Sequence, residues 1–212
     1  MRSKFHHEEI FRGKDLIKKI SDLDILVCGV GALGSNLVDN LTRQGFSKIK
    51  VLDMDRVEIH NLNTQVWATT DVGALKVDAI KNKVFRNIGV EIETVNRQLT
   101  AENASKLIRK CSLVIDCFDN PTARKILQDE TRKSKIPCLH LGLDGSGSYG
   151  EIIWDESYVV PRDNGIDGCD NPMSRNVILL TTTVATEEII SYLGGVKHNW
   201  TITLKDMKIT QI

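Results

Sequence analysis

The stretch Asp24-Ile25-Leu26-Val27-Cys28-Gly29-Val30-Gly31-Ala32-Leu33-Gly34 decides how this chain folds. Its opening is a compact apolar run bounded by Gly29, which reads as a strand buried on both faces. From Leu33 the apolar positions recur every four residues, at Leu37 and Leu41, the spacing of one helix face. Between strand and helix stand Gly29, Gly31 and Gly34 in a G-x-G-x-x-G arrangement. Glycines at such a turn let the backbone close tightly and approach a phosphate. The helix N-terminus adds free N–H groups and the positive end of its dipole. A second strand, Ile49 to Asp53, ends in an acid 19 residues beyond Gly34, where a carboxylate can accept ribose hydroxyls. The glycine pattern alone is a weak signal, because glycines also serve helix–sheet packing. Strand, glycines, helix, strand and acid in that order point to a nucleotide, with NAD and ATP equally allowed.

The same grammar extends outward. Residues 9–20 read as a short amphipathic helix, and a polar stretch runs from Asp53 to about residue 70. Val77, Ile80, Val84 and Ile88 mark a helix, Ile92 to Val95 a strand, and residues 101–109 a helix. Leu113 to Cys117, a helix over 121–133 and a strand from Pro137 to Leu141 complete the alternation. The expected fold is a Rossmann-like, doubly wound α/β domain with a mostly parallel sheet and helices on both faces. After Gly142 the pattern changes. A second G-x-G-x-x-G at 145–150 precedes a strand at Glu151 to Trp154, not a helix, so it reads as a turn. An apolar helix over 177–193 and a C-terminal β-hairpin (Trp200 to Leu204, Met207 to Ile212) close the chain. The hairpin can extend the sheet or cover an interface. These signals describe one domain over 1–212: a helical lead-in (1–22), a nucleotide-binding core (23–141) and a C-terminal elaboration (142–212).

Composition narrows the function classes. The 212 residues carry 28 Lys plus Arg against 28 Asp plus Glu. A chain without positive excess is a poor nucleic-acid binder, since that affinity comes largely from neutralising phosphates. The 41% hydrophobic fraction is ordinary for a globular protein. No apolar run approaches the roughly 18 residues of a membrane span, and the polar N-terminus is no signal peptide, so a cytoplasmic protein is expected. The five cysteines, Cys28, Cys111, Cys117, Cys138 and Cys169, form no C-x-x-C pair, so neither a disulfide framework nor a structural zinc is expected. Cys28, Cys117 and Cys138 lie in apolar strands as small hydrophobes. Cys169 sits among Gly, Asp and Asn instead.

Further motifs separate ATP from NAD. Asp53-Met54-Asp55-Arg56-Val57-Glu58 runs into Asn61-Leu62-Asn63-Thr64-Gln65, then Asp71-Val72-Gly73 and Lys76, and later Asp116-Cys117-Phe118-Asp119-Asn120. This ordered series resembles the E1-like family, the ThiF and MoeB type enzymes that adenylate the C-terminus of ubiquitin-like or sulfur-carrier proteins. The resemblance runs from about residue 9 to 193. It implies ATP and Mg²⁺ as cofactors, a small ubiquitin-fold carrier ending in Gly-Gly as partner, and a homodimer; no nucleic acid and no membrane are expected from the charge balance and apolar runs above. Residue by residue, it implies Gly29, Gly31 and Gly34 under the phosphates, Asp53 on the ribose with Asp55 beside it, and Asn61 and Gln65 along the triphosphate. Lys76 would neutralise phosphate charge during attack, and Asp119 would hold Mg²⁺. Cys169 lies where some members carry a catalytic cysteine, although Asp167 and Asp170 beside it would raise a thiol pKa.

Two positions depart from the family pattern. Thr64 stands where members carry Arg, and Glu8-Glu9-Ile10 stands where an Arg-Gln-Ile segment reaches a dimer partner's site, with Arg12 following. An arginine fork at a phosphoryl centre can be worth 10³–10⁵ in rate. Either another cation substitutes (Arg12 or Arg56 of a partner copy, or Lys76 alone), or the chain binds nucleotide as a degenerate subunit supporting a partner. An NAD-dependent oxidoreductase explains the glycine turn and Asp53, but gives no reason for Asn61 to Gln65 or Asp119.

Overall fold

Ile25–Cys28 forms β1, buried along its whole length between the parallel strands β2 (Ile49–Asp53) and β4 (Leu113–Asp116). The computed structural model describes residues 2–162 and 171–212. Outside these lie β3 (Glu93–Asn96), parallel to β2, and β5 (Cys138–Leu143), parallel to β4. The antiparallel strands β6 (Tyr149–Trp154), β7 (Trp200–Thr203) and β8 (Lys208–Gln211) continue the sheet from β5. The order is β3-β2-β1-β4-β5-β6-β7-β8, so the C-terminal hairpin extends the sheet. Chain direction around the sheet reverses between β1 and β4, the place where open α/β sheets bind ligands.

The helices are α1 (His6–Arg12), α2 (Lys14–Asp22), α3 (Ala32–Arg43), α4 (Lys76–Ile88), α5 (Ala101–Ile108), α6 (Pro121–Ser134) and α7 (Arg175–Leu193). Along β1, Ile25 and Val27 join the core formed with α2, α3, α4 and α7, while Leu26 and Cys28 face the smaller core under α5 and α6. Period-two alternation thus feeds two apolar layers, which is why the strand reads as continuously hydrophobic.

Three local outcomes differ from the sequence reading. The single helix expected over 9–20 is two, because Gly13 at φ 82° turns the chain between α1 and α2. The polar stretch after β2 contains two 3₁₀ turns, Ile59–Asn63 and Thr69–Asp71. Asn61 Oδ1 accepts from the Glu58 N–H and Asp71 Oδ2 from the Ala68 N–H, so side chains close both turns. The third concerns α7, expected over 177–193: it begins two residues earlier, at Arg175, and Val177, Ile178, Ala185, Ile189 and Ile190 are buried in this chain's own core. Residues 144–148 form the turn joining β5 to β6, and Tyr149 and Gly150 of the second glycine pattern already belong to β6.

One buried carboxylate ties α7 to the hairpin. Glu188, 2% exposed, accepts from the indole N–H groups of Trp154 and Trp200 at 2.7 and 2.8 Å and from the His198 N–H at 2.7 Å. Removing it strands three donors inside the protein, at about 1–3 kcal/mol each where water cannot replace the partner. Glu188→Ala is expected to cost about 3 kcal/mol or more and to lower Tm by about 6–12 °C. Thermal denaturation followed by tryptophan fluorescence checks it, and an unchanged Tm refutes the assignment. Among the described residues no helix is long and apolar enough to cross a membrane.

Candidate nucleotide-binding site

The carboxyl ends of β1, β2 and β4 bring the sequence-selected residues to one edge. Gly29, at φ 86°, turns the chain out of β1 and donates its N–H to the Leu52 carbonyl at 2.8 Å. Gly31 is the N-cap of α3 and supplies no capping side chain. The N–H groups of a helix's first turn lack intrahelical partners, so they are available to an anion. The Val30 N–H donates to Asp53 Oδ2 at 2.6 Å and the Asp55 N–H to Asp53 Oδ1 at 2.8 Å. Asp53 therefore couples the end of β2 to the glycine turn. Burial pushes its carboxyl pKa up, against Lys76 and these two N–H groups, which favour its charge.

Lys76 opens α4 beside it. Its Nζ donates to Asp55 Oδ2 at 2.9 Å, and its backbone N–H donates to the Asp55 carbonyl at 2.9 Å. Burial opposes the ammonium charge, but Asp53, Asp55 and Asp119 outweigh it and hold the pKa above the ordinary lysine value. Asp119 is exposed in the turn between β4 and α6. Asn120 next to it caps α6, accepting from the Ala123 N–H at 2.7 Å with Pro121 at the first helical position. A cation and three carboxylates thus share one edge with an uncapped helix N-terminus.

The other sequence-selected residues divide. Asn61 is buried, its Oδ1 used by the 3₁₀ turn. Gln65 accepts from the Trp67 indole N–H at 2.6 Å and lines a cleft of about 380 Å³ with Asn36, Lys83 and Arg175. Thr64 is buried and its carbonyl accepts from Asn36 Nδ2 at 2.8 Å. Of the cations weighed as substitutes, Arg12 is held within its own chain by Glu8, Glu187 and Gln44, and Arg56 donates to the Gly73 carbonyl. Cys169, with Asp167 and Asp170, lies outside the described residues. Cys28 and Cys138 are buried and Cys117 is partly buried, and burial pushes each thiol up, away from the reactive thiolate. Among the described residues no three His, Cys, Asp or Glu side chains cluster as a metal cage.

The sequence reading missed two features. Arg175, the first residue of α7, places Nη1 at 3.4 Å from the carbonyls of both Asn63 and Gln65, bringing a cation to the backbone around Thr64. No sequence signal marks it. Behind the turn carrying Asp119 lies a buried polar network of Asp116, Arg124, His140, Asp155 and Tyr158.

A family model described as the ThiF family matches residues 6–196. The chain is 35% identical over 139 residues to the adenylyltransferase and sulfurtransferase UBA4 of Lodderomyces elongisporus, covering 63% of this chain and 29% of that protein. It is 31% identical over 156 residues to the sulfur carrier protein ThiS adenylyltransferase of Bacillus subtilis, covering 71% of this chain and 46% of that one. The chain therefore spans less than half the length of either relative. Among solved structures, E. coli MccB with ATP superposes with a TM-score of 0.82 at 15% identity, over 99% of this chain and 71% of that one. At that identity the likeness establishes the fold alone.

Proposed function

The chain belongs to the ThiF family, and from that premise we propose that it is an ATP-dependent adenylyltransferase acting on the C-terminal carboxylate of a small ubiquitin-fold or sulfur-carrier protein. The observation that carries this reading is the shared edge: a glycine turn and uncapped helix N-terminus for phosphate, Asp53 for ribose, and Lys76 among Asp53, Asp55 and Asp119. An oxidoreductase needs the first two and has no use for the last group.

In the reaction, a carboxylate oxygen of the carrier attacks the α-phosphorus of ATP. The bond from that phosphorus to the α,β-bridging oxygen breaks, and pyrophosphate leaves with the electron pair. The attacking group is already an anion, so no protein base is required. The protein contributes placement and charge compensation. The first turn of α3 binds phosphate oxygens through backbone N–H groups, and Asp53 orients the ribose. Lys76 exchanges its bond to Asp55 for the phosphates as negative charge builds. Mg²⁺, held by Asp119 and the phosphates, would share that charge; a site of one carboxylate plus substrate oxygens is ordinary for this ion. Arg175 supplies a cation beside Thr64, where the family pattern places its arginine.

Calorimetry is expected to show ATP–Mg²⁺ binding at least ten-fold tighter than NAD. Tighter NAD binding would overturn the adenylation reading. ATP binding without pyrophosphate exchange across a panel of Gly-Gly carriers would favour a degenerate, nucleotide-binding subunit, the reading that Thr64 and the engaged Arg12 support.

A further inference from the structure

Asp116 and His140 are register partners on β4 and β5, and both are fully buried. His140 Nδ1 lies 2.7 Å from Asp116 Oδ2, and its Nε2 lies 3.2 Å from Asp155 Oδ1. Each carboxylate has further donors. Asp116 accepts from Arg124 Nη1 at 3.2 Å and from the Phe118 N–H at 3.0 Å. Asp155 accepts from Gln128 Nε2 at 2.9 Å and from Arg132 Nε at 2.7 Å. Carboxylates with cationic partners are ionised and only accept, so both ring nitrogens of His140 must donate. The ring is therefore an imidazolium. One face stacks on Tyr158, with centroids 3.8 Å apart.

Burial disfavours that charge, but the carboxylates of Asp116 and Asp155 outweigh it and push the His140 pKa up; the neighbouring Cys138 thiol, itself pushed up by burial, is neutral and adds no charge. Burial also opposes ionisation of Asp116 and Asp155. Arg124 and His140 nevertheless hold the first below the usual carboxylate range, and His140, Arg132 and Gln128 the second. The charged and titratable groups facing the ring are thus Asp116, Arg124, Arg132, Cys138, Asp155 and Tyr158.

The network ends at the candidate site. Asp116 closes β4, and its Oδ1 fixes the N–H of Phe118, the residue before Asp119. The glycine turn rests on the same segment, since a Cβ on Gly29 would meet the Cys117 carbonyl at 2.8 Å. We propose that His140 is a positioning residue: a buried imidazolium, clamped between Asp116 and Asp155, that fixes the turn carrying Asp119 and the glycine loop against it. Its nucleotide consequence rests on the adenylation reading.

Two substitutions separate the links, because Asn places its amide near the Nδ1 position and Gln near Nε2. His140→Asn keeps a donor to Asp116. His140→Gln keeps one to Asp155 and leaves Asp116 short. Calorimetry is expected to give His140→Asn an ATP–Mg²⁺ affinity within about three-fold of the parent, and His140→Gln one at least ten-fold weaker, with both folded. Equal affinities in parent and His140→Gln would overturn the proposal. Without nucleotide, amide NMR should show Cys117 to Asn120 displaced in His140→Gln and little changed in His140→Asn; an unmoved turn in His140→Gln overturns the proposal even if the parent binds no ATP. Failure of ATP binding in the parent would overturn the adenylation reading alone. Imidazole ¹⁵N shifts should remain those of the cation from pH 6 to 9, and titration within that range would refute the clamp. The linked effect on stability has a definite sign. A raised histidine pKa contributes fully below the unfolded value near 6.5 and is lost as pH rises toward the raised folded value. From pH 6.5 to about 7.5, below the ordinary thiol pKa of about 8.5, the parent should lose stability with pH more steeply than His140→Gln by up to one proton.

Discussion

Lys76→Ala is expected to lower carrier-dependent exchange of pyrophosphate into ATP by about 10²-fold or more, the usual loss when one preorganised electrostatic group is removed from a transition state. The side chain is positioned by its surroundings. Its ammonium is mostly enclosed and faces Asp55 directly, with Asp53 and Asp119 in electrostatic range. A phosphate arriving at the first turn of α3 competes with Asp55 for that ammonium. Removing the ammonium takes away the cation and leaves three carboxylates near an incoming polyanion. Both effects oppose binding and attack, so KM for ATP should rise while kcat falls. Asp119→Ala should cost a comparable factor by a different route, through loss of Mg²⁺ affinity, and raising Mg²⁺ should partly restore it. Because Asp119 is exposed, that substitution should leave Tm near the parent value. Cys169→Ser is the control, since acyl-adenylate formation needs no thiol. Full exchange in both Lys76→Ala and Asp119→Ala would refute the site assignment.

The parts of the fold written in local sequence were legible. β1, the glycine turn and α3 follow from apolar runs and four-residue spacing, and their ranges lie within a residue or two of the expectation. That Asp53 and Lys76 meet at one edge was legible because motif order stands in for their neighbourhood. Contacts made only after strands pair were not legible. His140 sits within an apolar strand, and its role exists only because register sets it opposite Asp116, 24 residues earlier, with Asp155 arriving from beyond β6. Arg12 looked available to a partner copy, yet Glu187 and Gln44, which hold it, are far away in sequence. The break at Gly13 was missed for a local reason: glycine is compatible with a helix interior at modest cost, so periodicity alone runs through it.

The three glycines of the turn are expected to separate packing from phosphate binding when each is tested for what its missing Cβ would meet. A Cβ on Gly34 would stand 1.9 Å from the Gly29 carbonyl oxygen and 2.9 Å from its carbon. Both atoms are backbone at the base of the loop, so no side chain can swing aside, and α3 would have to lift off β1. Gly34→Ala is expected to lose several kcal/mol, beyond the usual overpacking cost of about 1–3, with a Tm drop of roughly 10 °C or more. Its lost ATP binding would then say nothing about chemistry. Gly31 is the informative position. Nothing lies within 4 Å of a Cβ built there, so packing does not demand a glycine. Gly31 is also the N-cap of α3, next to the uncapped first turn whose N–H groups a phosphate must approach closely. Gly31→Ala is therefore expected to melt within a few degrees of the parent while binding ATP–Mg²⁺ at least ten-fold more weakly by calorimetry. Parental affinity in a well-folded Gly31→Ala would show that the turn serves helix–sheet packing alone. Lost affinity with Tm preserved would assign the open space to a ligand, because no atom of the protein contests it.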